Sequence, residues 1–189
     1  MKLFWLDLET TGLSPDRDVI LEVSLSEADF LDPFNAKHIY CAVIFISDSA
    51  IRILDPFILD MHTKNNLLVE CQASRATMQS VEQELLKLVP WVEDKEERPI
   101  LAGSRIGFDH QFIAHHWPTL NKRFSHREYD VTAIKLFCRS LGMSKFPKGE
   151  AHRAMADVEE SIAHGRLCRD WLTTCGGANS KNVPFQGTH

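Results

Sequence analysis

The chain has 189 residues, 44% hydrophobic and 25% charged, proportions that suit one soluble domain with its own core. A formal net charge of -5 argues against electrostatic capture of long duplexes, though not against a small nucleic acid held through metal ions. No apolar run approaches the roughly 20 residues that span a bilayer and no charged, apolar leader opens the chain, so no membrane association and a cytoplasmic location are expected, or an organellar one if a transit segment was removed.

Residues 3–8 form an apolar run that predicts a buried strand, followed by the turn-rich Thr10-Thr11-Gly12-Leu13-Ser14-Pro15. Residues 19–26 predict a second strand, Asp32-Pro33-Phe34-Asn35 a break, and the β-branched and aromatic residues 38–46 a third. Three strands with short breaks imply an antiparallel meander. Met78, Val81, Leu85, Leu88 and Val89 then recur at helical spacing, with Thr77 or Ser80 as cap and Pro90 near the end. A fourth strand is expected over 98–103, a helix over 109–117, a short fifth strand at Tyr129-Asp130-Val131 and a helix through 134–141. After a loop from 144 to 151, a last helix runs from His152 or Arg153 to Leu172, and a Gly/Asn/Ser-rich segment, 176–189, reads as a flexible tail. The expected fold is one α/β domain over residues 1–175, with a mixed five-stranded sheet flanked by helices in the order βββ-α-β-α-β-α-α. The five cysteines (Cys41, Cys71, Cys138, Cys168 and Cys175) include no Cys-x-x-Cys pair, so reduced thiols are expected rather than a disulfide frame or zinc site.

Chemistry concentrates at Leu6-Asp7-Leu8-Glu9. Alternate side chains of a strand share a face, so Asp7 and Glu9 point one way while Leu6 and Leu8 point the other. Two carboxylates side by side at the end of a buried strand repel each other and lose hydration, a cost that a cation between them relieves. Two more segments carry acids at element junctions: Gly103 to Asp109, where Asp109 opens a helix, and Ala151 to Asp157, near the start of the last one. Singly these features are ordinary, since an i,i+2 acid pair commonly faces solvent and an Asp at a helix start commonly caps it. Jointly, four acids from three distant segments predict one divalent-metal site.

Residues 6–12 (LDLETTG), 106–112 (IGFDHQF) and 152–157 (HRAMAD) resemble the three motifs of the DEDDh 3′→5′ exonucleases, a ribonuclease-H-like family. The likeness spans residues 3–172 and is narrowest to the oligoribonuclease family, through residues 11–18, Met61-His62-Thr63, Arg127 and Asp130-Val131-Thr132. It implies that Asp7, Glu9, Asp109 and Asp157 hold two Mg²⁺ or Mn²⁺ ions, and that His152 acts as general base on the attacking water. Five residues separate His152 from Asp157, about 140° apart on a continuous helix, so His152 belongs on the loop before the helix, where Gly149 permits movement. The family's tyrosine subclass has a Tyr four residues before the last Asp; here Arg153 stands there, which favours the histidine subclass.

The resemblance also implies a pocket for a dinucleotide or short single-stranded oligonucleotide, built in a homodimer. Leu13 matches the family's wedge leucine. The partner-subunit Tyr that precedes an Arg is His126 here, before Arg127. Two serines of the cap around the 5′ phosphate match Arg105 and Thr132, and His62 matches a segment beside the terminal nucleotide. These departures leave the chemistry intact and bear on substrate length and on RNA against DNA. A broader trimming or proofreading exonuclease, and a non-catalytic nucleic-acid-binding domain, remain the alternative readings.

Overall fold

The computed structural model describes residues 1–146, 149 and 152–179. Five strands, β1 (Lys2–Thr10), β2 (Ile20–Asp29), β3 (Asp32–Val43), β4 (Ile100–Gly103) and β5 (Glu128–Asp130), form one sheet in the order β3-β2-β1-β4-β5. β1, β2 and β3 run antiparallel, whereas β4 lies parallel to β1 and β5 parallel to β4. The meander and the mixed sheet are therefore as expected.

The break predicted at Asp32-Pro33 is instead the first residues of β3, because Asp29 pairs with Asp32 across a two-residue turn at Phe30-Leu31. Proline is tolerated there since β3 is an edge strand and its outward side needs no N–H donor. Three short helices, α1 (Asp48–Ile51), α2 (Pro56–Lys64) and α3 (Leu67–Ala73), fill a stretch where no element was predicted. Their local signals are Ser47 and Asp55, whose side chains accept from Ala50 and Phe57 amides, and Pro56 in the first turn of α2. α4 (Met78–Leu88) starts at Thr77 with a reciprocal Thr77–Ser80 capping box. α5 (Ile106–His116) opens at Ile106, so Asp109 lies within its first turn rather than at its start. α6 (Pro118–Asn121), α7 (Val131–Ser140) and α8 (Ala154–Asn179) complete the chain. α8 continues past Leu172 into the predicted tail, and residues 180–189 lie outside the described residues.

Strand alternation sorts β1 between two cores. Phe4, Leu6 and Leu8 pack with Val81, Leu85, Phe112, Ile113 and Trp117 from α4, α5 and its end. Leu3 and Trp5 face the other way, with Phe34, Val131 and Val158 from β3, α7 and α8. Asp7 and Glu9 continue that second face, under the start of α8. A third cluster, Leu21, Ile46, Leu67, Leu68 and Cys71, seats α3 against the start of β2. Cys71, Cys138 and Cys168 are buried free thiols, and Cys41 is exposed and free.

Candidate active site

The site forms where β1 and β4 part. Their register runs only from Leu3–Ile100 to Trp5–Ala102. At Gly103 the chain turns off so close to β1 that a Cβ would lie 2.8 Å from the Leu6 carbonyl oxygen, which requires glycine. Past that point β1 has no strand on its β4 side, and the freed Leu8 N–H donates to Asp109 Oδ1 at 3.0 Å. Such a crevice at the carboxyl ends of parallel strands is the usual place for a ligand in open α/β sheets.

Oxygens of Asp7, Glu9 and Asp157 lie within 4.8 Å of one another, two from β1 and one from the first turn of α8. Asp109 joins them along a cleft of about 180 Å³, together with Leu8, Ser104, Arg105 and Phe108. The four acids thus line one cleft, three in close convergence and Asp109 at the wall with one oxygen spent on Leu8. Burial pushes the Asp7 carboxyl well above the carboxylate range, helped by the charges of Asp109, Glu9 and Asp157. Burial likewise lifts Glu9 to about 8, with Asp157 as its strongest repelling neighbour. Asp109 rises to about 7 by burial, against the Leu8 amide that favours its charged form. Asp157 is raised by burial and by Glu160, and His152 opposes the shift. A set of oxygen-only donors that cannot all ionise together fits a hard divalent cation such as Mg²⁺ or Mn²⁺.

His152 lies two residues ahead of α8 with φ at 45°, in the left-handed region. Its carbonyl accepts from Asn65 Nδ2. Gly149 N–H donates to Glu160 at 3.0 Å, while residues 147, 148, 150 and 151 of the loop expected over 144–151 lie outside the described residues.

His62 is placed differently from the expectation of a substrate contact. Its side chain is fully buried, with Nε2 3.2 Å from the Thr10 carbonyl and 3.8 Å from Glu9 Oε2. Burial lowers its pKa, so it is neutral at pH 7 and donates Nε2–H to Thr10, supporting the backbone that carries the acid pair. The other ring nitrogen, Nδ1, is buried and has no hydrogen-bond partner among the described residues.

Leu13, in contrast, is 79% exposed and borders a groove of about 720 Å³ beside the Thr11-Gly12 end of β1. Ile53 and Phe57, equally exposed, line its other side. Sequence reasoning missed both, although an apolar residue following the Asp55-Pro56 helix start was the available signal. The turn carrying Leu13 is closed by Asp18, which accepts from Thr11 Oγ1 at 3.2 Å and from the Ser14 amide at 2.9 Å.

Arg105 is exposed at the rim, in left-handed backbone, its N–H on Asp130 Oδ1 at 3.0 Å. The same oxygen accepts from Thr132 N at 2.8 Å, so Asp130 ties the rim to the start of α7. Thr132 borders a neighbouring cationic groove with Lys135, Arg139 and Lys145 rather than the acid cleft. His126 and Arg127 stand just before β5, at the opposite end of the parallel strands, where Arg127 pairs with Glu96 and His126 lines a basic pocket with Lys95, Arg98 and Lys122. Within one chain they are not brought to the acids.

Two further residues went unrecognised. Glu22, 2% exposed, stands directly opposite Glu9 on β2 and is bound by Arg153. Glu70 on α3 holds the other side of that guanidinium.

Among solved structures, Escherichia coli exonuclease I in complex with a dT13 oligonucleotide superposes with a TM-score of 0.66 at 14% identity, over 94% of this chain and 43% of that one. The apo exonuclease I gives 0.62 at 15%, over 92% and 44%. The chain therefore spans less than half the length of these neighbours, and shares their fold. The fold has ribonuclease-H-like architecture, and its acid cluster has the oxygen donors that suit a divalent metal. Residues 4–164 match the exonuclease family, and the chain belongs to it. It is 35% identical over 167 residues to the oligoribonuclease of Corynebacterium diphtheriae, covering 85% of this chain and 78% of that protein. Identity to the oligoribonuclease of Pseudomonas syringae pv. syringae is also 35%, over 176 residues, covering 89% and 94%.

Proposed function

We propose that this exonuclease removes 5′-mononucleotides from the 3′ end of very short oligonucleotides, and that the convergence of Asp7, Glu9 and Asp157 beside an apolar groove carries that reading. Asp7, Glu9, Asp157 and the free oxygen of Asp109 are the ligands for two Mg²⁺ or Mn²⁺ ions. When bound, such ions supply positive charge to the attacking water and to the departing 3′-oxygen. His152 takes the water's proton, from a loop position beside Asp157 that leaves its ring free to enter and leave. Leu13 receives a base, with Phe57 and Ile53 as the apolar wall opposite, and Arg105 offers a fork of donors to a phosphate at the rim.

His126 and Arg127 belong to this scheme only through a second copy of the chain. They precede β5, whose three residues at about 3.3 Å each place them roughly 10 Å from the cleft end of the strand. A homodimer that lays one chain's 126–127 segment over the other's groove is therefore part of the proposal, as is a cytoplasmic location. No helix among the described residues is long and apolar enough to cross a membrane.

The deciding experiment is a length series of 5′-phosphorylated RNA and DNA assayed with Mn²⁺ and with EDTA. Metal-dependent release of mononucleotides, fastest on the dinucleotide, is expected. If a strand of about ten nucleotides is degraded as fast as the dinucleotide, a broader single-strand exonuclease is the better reading. No metal-dependent release from any length would leave only a nucleic-acid-binding domain.

A further inference from the structure

Arg153 is bound more heavily than its position beside a catalytic histidine requires. Its Nε lies 3.1 Å and its Nη2 2.9 Å from the two oxygens of Glu22 on β2. Nη1 and Nη2 lie 3.0 and 2.6 Å from the two oxygens of Glu70 on α3. Nη1 also donates to the Asn65 carbonyl at 3.4 Å. The guanidinium is thus forked onto two carboxylates of different elements, an arrangement with a fixed plane that a lysine does not reproduce. Glu22 in turn accepts from the Ala154 amide at 3.0 Å, and the Arg153 carbonyl receives the first α8 hydrogen bond, from Asp157, also at 3.0 Å.

His152 sits immediately before this knot. Its left-handed backbone is disfavoured for a side chain with a Cβ and persists only where surroundings over-determine it. Those surroundings are visible: Asn65 Nδ2 holds the His152 carbonyl from one side while Arg153 is clamped from the other. The same Asn65 accepts from Leu67 N at 3.1 Å at the start of α3, so the clamp is anchored in a packed helix.

We propose that Arg153, with Glu22, Glu70 and Asn65, is the positioning device of the active site, fixing the peptide at His152 so that the imidazole addresses the acid cluster. This rests on the reading of His152 as general base. Arg153 spends its guanidinium on Glu22, Glu70 and the Asn65 carbonyl, and acts through the residue before it.

The test is a double-mutant cycle on short 5′-phosphorylated oligonucleotides, with Mn²⁺ affinity, melting temperature and hydrogen exchange measured on the same proteins. Asn65→Ala removes the side-chain bonds to the His152 carbonyl and the Leu67 amide and keeps the Arg153 knot; Arg153→Met removes the guanidinium and leaves the buried Glu22 without its counter-charge, still bound by the Ala154 amide. Each is expected to lower kcat by about tenfold or more. KM and Mn²⁺ affinity should stay within about twofold of the parent. Hydrogen exchange across residues 152–157 should quicken, and Arg153→Lys should recover part of the rate. In a His152→Ala background the same changes should cost less than about twofold, because what they position is gone. Full additivity in that background, or unchanged kcat in Asn65→Ala and Arg153→Met, overturns the proposal and leaves His152 as base. Near-normal turnover of His152→Ala alone overturns both.

Discussion

Replacing Glu9 by Gln separates what the acid pair does for folding from what it does for function. Glu9 is 7% exposed, faces Glu22 across the sheet and shares its cleft with Asp7 and Asp157. Its pKa rises from 4.5 in an unstructured chain to about 8 in the fold. The folded protein therefore keeps a proton that the unfolded chain releases, and the contribution of Glu9 to stability falls as pH climbs from about 4.5 to about 8. At pH 7 the nominal penalty is about 3 kcal/mol, at about 1.36 kcal/mol for each pH unit between 4.5 and 7. Water entering the cleft and adjustment by the other acids cut this, so about 1–2 kcal/mol is the working figure. Glutamine keeps the shape and sheds the charge, and in a domain of this size that gain raises the melting temperature by roughly 2–8 °C in EDTA at pH 7. The same variant should lose most Mn²⁺ affinity and nearly all turnover, since an amide is a poor ligand for a hard cation. Calorimetry in EDTA at pH 5 and pH 7 checks the stability half, because the advantage of Gln must shrink at the lower pH. A Glu9→Gln protein less stable than the parent at pH 7 would refute the claim that the acids are strained against each other.

Metal and protons compete for one set of oxygens, so Mn²⁺ should raise the melting temperature of the parent more at pH 8 than at pH 6, following Glu9 at about 8 and Asp109 at about 7. An equal gain at both pH values would count against metal binding at these acids. Leu13→Ala with Phe57→Ala removes the exposed apolar walls of the groove and should raise KM for a dinucleotide by about tenfold or more, leaving Mn²⁺ affinity unchanged; steady-state kinetics decides. Thr77→Ala breaks the capping box of α4, far from the cleft, and should cost about 1 kcal/mol of stability by urea unfolding while kcat stays at the parent value.

The acid motifs were legible because their logic is local. A strand's two-residue period alone puts Asp7 and Glu9 on one face, and the apolar run around them buries that face. Junction residues such as Gly103 and Asp109 announce themselves by chain position, and the placing of His152 ahead of the helix follows from angular spacing. Helix boundaries shifted by a few residues, as at Ile106, whose start carries no side-chain cap to mark it, and the strand opening at Asp32 was hidden by Pro33, which an edge position tolerates.

Partnership across the sheet was not legible. Glu22 reads as one acid in an ordinary strand; only the β1–β2 register sets it opposite Glu9, and only the fold brings Arg153, 131 residues away, to neutralise it. His62 was read as matching a segment beside the terminal nucleotide, and only the packing of α2 shows it buried under Thr10. The groove of Leu13, Ile53 and Phe57 likewise exists because two short helices, α1 and α2, and the segment between them lie against the turn. The sequence by itself determined the chemistry of the site, through residue types whose placement depends on neighbours one to five positions away. Tertiary structure decided which charges are paired, which histidine is buried and where β1 and β4 separate, because those outcomes depend on contacts between segments that no local spacing encodes.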